Sequence, residues 1–200
     1  MPGISLWPGA LDPAQRSALI EEVFARVGEA PFYRPVMPVS GKPFSVEETN
    51  FGPLGWFSGK SGYRYEALHP VTRRPWPDIP PLLLSLWDAV AGSPPPECCL
   101  VNLYRADARM GLHQDRDEAA LDMPVVSVSL GCDALFRIGG TTRKAKTQSL
   151  KLRSGDVLSF GGAARLAFHG IDRILPGTAA NIGEGARLNL TLRRVTETGR

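Results

Sequence analysis

Histidine and cysteine are both scarce in this 200-residue chain, at three each. The cysteines are Cys98, Cys99 and Cys132. Their number is odd, two are adjacent, and no CxxC spacing occurs, so neither a disulfide framework nor a structural zinc site is expected. A reducing interior is the default reading. No stretch approaches the ~18 apolar residues that a membrane span needs. The opening Met-Pro-Gly-Ile-Ser-Leu-Trp-Pro has no basic residue and no long apolar run, so a secretory signal is not expected. Internal repeats and low-complexity tracts are missing as well. A cytoplasmic location and no contact with membrane are therefore expected.

What is present suits one globular unit with a real core: 43% hydrophobic and 22% charged residues. Twenty-one glycines and eighteen prolines favour many turns, hence short strands over long helices. The net charge of +3 is a mild basic bias, compatible with a nucleic-acid partner without establishing one.

Two helices are legible. Asp12-Pro13-Ala14-Gln15 reads as a helix start, with Leu19, Ile20, Val23, Phe24 and Val27 on one face and Gly28 beyond its end. Pro81 to Ala91 reads as a second, with Leu83, Leu86, Trp87 and Val90 inward. Residues 31–80 are irregular and rich in aromatics, with a few short strands expected. Ser93-Pro94-Pro95-Pro96 is a stiff linker and marks the expected boundary between an N-terminal portion, 1–93, and a catalytic core, 94–200, within one compact unit. Beyond it the pattern predicts strands at Cys98–Tyr104, Val125–Leu130, Ala134–Ile138, Ser149–Leu152, Val157–Phe160, Arg165–His169 and Arg187–Arg194. The connection from His169 to Arg187 is expected to be a loop. So many short strands predict a mainly β fold, a sandwich or barrel of the jelly-roll kind.

The chemistry-bearing residues lie in this second half. His113 and Asp115 are two apart, so in extended chain both leave one face. With His169, far along the chain, they supply the residue types of the two-histidine-one-carboxylate triad that holds non-haem Fe(II). Alone, such a pair is weak; a hydrogen-bonded surface turn would look the same. Two of only three histidines fall in the pattern, while His69, before Pro70, reads as a loop residue. In Arg187-Leu188-Asn189-Leu190-Thr191-Leu192-Arg193 the leucines share one face and Arg187, Asn189, Thr191 and Arg193 the other. A half-exposed strand has this form, and so does an anion-binding wall. Two guanidiniums leaning toward each other suit a dicarboxylate such as 2-oxoglutarate.

Several segments together resemble the AlkB family of oxidative dealkylases. They are Leu54-Gly55-Trp56, Gly62-Tyr63-Arg64-Tyr65, Pro75-Trp76-Pro77, Asn102-Leu103-Tyr104, Leu112-His113-Gln114-Asp115-Arg116-Asp117-Glu118, Val125 to Gly131, Phe168-His169-Gly170-Ile171 and Arg187 to Arg193. The resemblance covers about residues 45–195. It implies a double-stranded β-helix preceded by a helix-and-strand lid that recognises the nucleotide. It implies Fe(II) on His113, Asp115 and His169. Arg187 would meet the distal carboxylate of 2-oxoglutarate, helped by Asn102 and Tyr104. Arg193 would sit near the carboxylate that chelates the iron, with Asn189 and Thr191 lining the pocket. Trp56 would stack on the damaged base opposite His113, and Tyr63 would touch a backbone phosphate. Asp117 would favour a cationic ring, and Arg143 would contact the substrate strand.

The implied activity is oxidative demethylation of 1-methyladenine and 3-methylcytosine in single-stranded DNA, with double-stranded DNA and RNA as further candidates, by a monomer. On composition alone Trp56 and Tyr63 could be core aromatics, Asp117 and Glu118 a solvated turn, and Arg143, Lys144 and Lys146 an exposed hairpin. Two rival functions stand beside this one: an oxygenase acting on RNA or protein, and a non-enzymatic jelly-roll module.

Overall fold

The computed structural model describes residues 2–105, 107–179, 182–183 and 185–197. Strand β1 (Ile4–Trp7) leads into helix α1 (Pro13–Val27). Next come β2 (Glu47–Phe51), the hairpin β3 (Gly55–Gly59) and β4 (Gly62–Glu66), and helix α2 (Pro81–Ala91). The remaining strands are β5 (Cys98–Tyr104), β6 (Met110–His113), β7 (Val125–Gly131), β8 (Asp133–Ile138), β9 (Gln148–Leu152), β10 (Val157–Phe160), β11 (His169–Leu175) and β12 (Arg187–Arg193).

Helix α1 begins where its capping residues place it. The Gln15 backbone N–H donates to Asp12 Oδ1 at 2.8 Å, and the Asp12 N–H donates to Gln15 Oε1 at 3.0 Å. Two otherwise unpaired donors of the first turn are satisfied reciprocally. Leu19, Ile20 and Val23 of α1 and Leu83 and Trp87 of α2 are buried.

The strands form a six-stranded sheet in the order β1-β10-β7-β12-β5-β2 and a four-stranded sheet in the order β6-β11-β8-β9, with antiparallel pairing throughout. From β5 onward the chain passes back and forth between the sheets, which is the topology of a double-stranded β-helix. Strands β1 and β2, both before Ser93, are the two edge strands of the larger sheet.

Alternation sorts the large sheet's side chains. Leu188, Leu190 and Leu192 of β12 join Val101, Leu103, Val126 and Val128 in one cluster with the buried residues of both helices. Each fully buried leucine contributes ~1.5–3 kcal/mol relative to exposure. A second cluster spans the sheets, with Val125, Leu158 and Phe160 from one and Phe136, Ile138 and Ile171 from the other. The inward row of β12 is largely buried too, with Asn189 half-buried. Arg187 is wholly inaccessible, and Thr191 and Arg193 are nearly so, so the half-exposed strand is ruled out.

Two expectations fail between residues 165 and 187. Arg165–His169 is not a strand: a 3-10 turn occupies Gly162–Ala164, and the strand starts at His169 instead of ending there. Arg165 is drawn inward because its guanidinium donates to Met123 O and to Glu118 Oε2. The first part of the supposed loop to Arg187 is therefore β11, paired with both β6 and β8. The sequence reading also omitted β1 and β6.

Candidate metal and cosubstrate centre

His113 ends β6 and His169 opens β11, and the two are register partners. Gly170 permits this approach: a Cβ there would lie 2.4 Å from Met110 O and 2.7 Å from Gly111 O. The imidazole centroids are 4.4 Å apart. Asp115, just beyond β6, offers Oδ1 at 3.6 Å from His113 Nε2 and 3.9 Å from His169 Nε2. One ligand atom from each of the three lies within 4.8 Å of the others.

The tautomers follow from the hydrogen bonds. His113 Nδ1 lies 2.9 Å from Gly111 O, and His169 Nδ1 lies 2.9 Å from Ala167 O. A carbonyl only accepts, so each Nδ1 carries the proton and each Nε2 lone pair is free for a metal. Burial, then the neighbouring His113, lowers His169 to about 4 and keeps it neutral. Burial pushes the Asp115 carboxyl up, but Arg193 outweighs it, with His169 and His113 adding, and holds it well below the usual carboxylate range. Two imidazoles with Nε2 toward Asp115 and an ionised carboxylate at the wall of a cavity are a donor set that fits Fe(II).

The surroundings fix this set. Arg193 binds Asp115 Oδ2 and lies 3.6 Å from Glu118 Oε1. Arg165 donates to the Asp115 carbonyl and to Glu118 Oε2, the latter at 2.9 Å. Gln114 Nε2 donates to Leu166 O at 2.6 Å, tying the loop of Asp115 to the segment before His169. Tyr65 O–H donates to Glu118. Glu118 is thus buried within an ion-pair network and is no solvated turn residue. Arg165 and Glu118 are functional supports that the sequence reading missed.

Arg187 and Arg193 have different partners within the protein. Arg193 pairs with Asp115. Arg187 donates Nη1 to Cys132 O at 3.2 Å and Nη2 to Ser129 Oγ at 2.8 Å. Among the described residues no carboxylate pairs with it, and its Nε has no partner. Burial lowers its pKa to about 10. A buried, uncompensated guanidinium is costly unless an anion meets it, so this wall fits a carboxylate of 2-oxoglutarate. Asn102 Oδ1 is also unpartnered. Asn189 donates to Ser127 Oγ at 2.7 Å and accepts from Thr191 at 3.2 Å.

Above the wall, the Trp56 and Tyr63 rings stack at 5.3 Å and 24°. Trp56 Nε1 donates to Asp117 Oδ2 at 2.9 Å. Tyr63 is 46% exposed, so it extends an aromatic platform to the mouth and is not core. Arg143 lies over the Phe168 ring, 5.7 Å from its centroid. All thirteen residues named from the sequence line one cavity of about 670 Å³, within the size range of small-molecule sites. His69 does lie in a loop, where it is buried: Nε2 meets Pro31 O, and Nδ1 accepts from Val71 and Thr72.

Residues 3–193 match the 2OG-Fe(II) oxygenase superfamily. Over 198 residues the chain is 58% identical to the alpha-ketoglutarate-dependent dioxygenase AlkB homolog of Caulobacter vibrioides (strain NA1000 / CB15N), covering 97% of this chain and 88% of that protein. The chain belongs to the AlkB family. It is 39% identical over 181 residues to the AlkB dioxygenase of Escherichia coli (strain K12), covering 88% and 83%. A protein of Arabidopsis thaliana named DNA N(6)-methyladenine demethylase ALKBH1C is 34% identical over 194 residues, covering 84% of this chain and 43% of that one. The solved structure of OsALKBH1 superposes with a TM-score of 0.85 at 32% identity and 97% coverage of both chains. This AlkB-family chain is accordingly an Fe(II)- and 2-oxoglutarate-dependent dioxygenase with the double-stranded β-helix fold. Among its described residues no helix is long and apolar enough to cross a membrane.

Proposed function

We propose that this AlkB-family enzyme demethylates nucleic acids oxidatively, with 1-methyladenine and 3-methylcytosine in single-stranded DNA as preferred substrates. One observation carries the reading: the His113–Asp115–His169 cluster shares a single cavity with an unneutralised guanidinium and an aromatic platform backed by Asp117. The plant relative named as a DNA demethylase supports a nucleic-acid substrate.

In this reading His113, Asp115 and His169 hold Fe(II). Arg187, with Asn102 and Tyr104, binds the distal carboxylate of 2-oxoglutarate. Asn189 and Thr191 line its pocket, and Arg193 serves the carboxylate at the metal end. Bound iron, with O2 and 2-oxoglutarate, supplies the oxidising power; succinate, CO2 and, from a methyl group, formaldehyde are the products. Trp56 stacks on the flipped base opposite His113, and Asp117 favours its positive charge. Tyr63 and Arg143 contact the strand at the mouth. Lesions on the Watson–Crick edge pair poorly, so they leave a duplex cheaply and a single strand more cheaply still. The enzyme acts as a monomer in a reducing cytoplasm, in keeping with three buried free thiols.

The test offers methylated single-stranded DNA, duplex DNA, RNA and a methylated peptide as triggers of succinate formation. Single-stranded DNA should give the fastest turnover. Stimulation by peptide with none by nucleic acid would overturn the reading.

A further inference from the structure

Within the cavity, the carboxyl of Glu48 has no hydrogen-bond partner among the described residues. Glu48 is wholly buried and lines the cavity wall. Among the described residues no donor or acceptor reaches either of its side-chain oxygens. Its backbone is locked: the Glu48 N–H donates to Tyr33 O at 2.8 Å, and the Tyr33 N–H donates to Glu48 O at 3.0 Å. Leaving a buried carboxyl without hydrogen bonds is expensive, and native proteins rarely do so. A polar group kept at that cost beside a binding cavity is matched to a ligand.

The position says which ligand. On β2, Glu48 shares a face with Asn50. The Asn50 amide grips Trp56 at both ends, accepting from Trp56 N–H at 3.0 Å and donating to Trp56 O at 3.1 Å. Across the sheet Glu48 is the register partner of Asn102. It therefore lines the cavity between Asn102 of the cosubstrate wall and the strand whose Asn50 holds the Trp56 backbone. 2-Oxoglutarate is a dianion whose carboxylates bring only acceptors, which the ionised form of Glu48 repels and the protonated form can meet with a single O–H. The exocyclic amino groups of adenine and cytosine bring donors.

We propose that Glu48 is a specificity residue that accepts a hydrogen bond from the exocyclic amino group of the substrate base. This rests on the demethylase reading above and deepens it. Burial raises the carboxyl to about 8, and Arg193 opposes the rise; Tyr33 and Tyr104 are the other titratable groups beside it, and Glu48 raises both. A cationic, amino-bearing base draws the group to its ionised, acceptor-only form. A neutral base with a carbonyl at the same place can accept only the O–H of the protonated carboxyl and adds no charge attraction. Amino-bearing methylated bases are thereby preferred over carbonyl-bearing ones.

The test uses two single-stranded oligonucleotides that differ only in carrying 3-methylcytosine or 3-methyluracil. Their affinities for the full chain are read by fluorescence anisotropy without O2, and KM and kcat are read from demethylation. The wild type should prefer 3-methylcytosine. Glu48→Met, close in volume and unable to accept, should lose about tenfold of that preference, more in KM than in kcat, with 2-oxoglutarate affinity kept. Glu48→Gln, which retains an acceptor, should fall between. The preference is a ratio within one protein, so it does not depend on the folded fraction of a variant. An unchanged ratio in Glu48→Met overturns the proposal. So does equal weakening of both oligonucleotides together with lost 2-oxoglutarate affinity, which would assign Glu48 to the cosubstrate. Failure of the wild type on both oligonucleotides would instead sink the demethylase reading itself.

Discussion

Arg193 grips one oxygen of Asp115 and leaves the other to the histidines. Its Nε and Nη2 lie 3.1 and 2.8 Å from Oδ2, while Oδ1 faces both imidazoles. A fork of two N–H groups fixes a carboxylate's orientation as well as its charge. Arg193→Lys keeps the charge and loses the fork. Its affinity for Fe(II) should fall by about 10–100-fold, as loss of a group that orients a metal ligand does elsewhere. Anaerobic titration with Fe(II) or Mn(II) measures this, and unaltered affinity would contradict the positioning role.

Arg187 has an unpartnered Nε and no neutralising carboxylate among the described residues. In Arg187→Lys a point charge replaces the planar donors. The KM for 2-oxoglutarate should rise at least about tenfold, with far less effect on oligonucleotide affinity. Parallel cosubstrate kinetics and oligonucleotide binding decide; equal losses in both would count against a cosubstrate role.

The inward row of β12 was legible because strict alternation put four polar groups on one face of a strand. Burial then excludes a solvent face, an alternative that alternation alone leaves open. The start of α1 was legible because Asp12, Pro13 and Gln15 satisfy local bonds that no tertiary contact overrides. By contrast, β6 carries His113 in four residues, Met-Gly-Leu-His, too short and too poor in β-branched residues to declare itself. The strand at His169 was misplaced because Leu166-Ala167-Phe168 is a short apolar run like that of a strand, while Arg165 is committed to Met123, Asp115 and Glu118. Contacts over such distances leave no local periodicity. Glu48 was hidden for the same reason: in Glu47-Glu48-Thr49 it reads as a polar edge, and only the fold buries it.

Trp56 lines the cavity and donates a hydrogen bond to Asp117. Trp56→Ala should weaken binding of a methylated oligonucleotide by ~1–3 kcal/mol, the range for loss of base stacking. Trp56→Phe keeps the stacking surface and frees Asp117, so it should lose less. Fluorescence anisotropy measures both, and wild-type affinity in the alanine variant would return Trp56 to a packing role.

Glu48 also makes stability depend on pH. Its ordinary pKa is 4.5 and burial lifts it to about 8 in the folded state. Between those values the native state holds the proton more tightly than the unfolded chain does. The contribution of this group is therefore most favourable below pH 4.5 and is lost as pH rises to about 8. Glu48→Gln removes the titration. Urea midpoints of wild type and variant should move apart in the variant's favour from pH 5 to pH 8, and parallel profiles would contradict the burial cost.

In the proposed reaction one cavity couples cosubstrate oxidation to removal of a methyl group from a base. Formaldehyde and succinate should be measured together from a 3-methylcytosine oligonucleotide, with Fe(II) and 2-oxoglutarate supplied or withheld, in wild type and in His169→Ala. The two products should rise in step only when both are supplied, and neither should form in the variant. Formaldehyde release without iron, or full activity in His169→Ala, would contradict it.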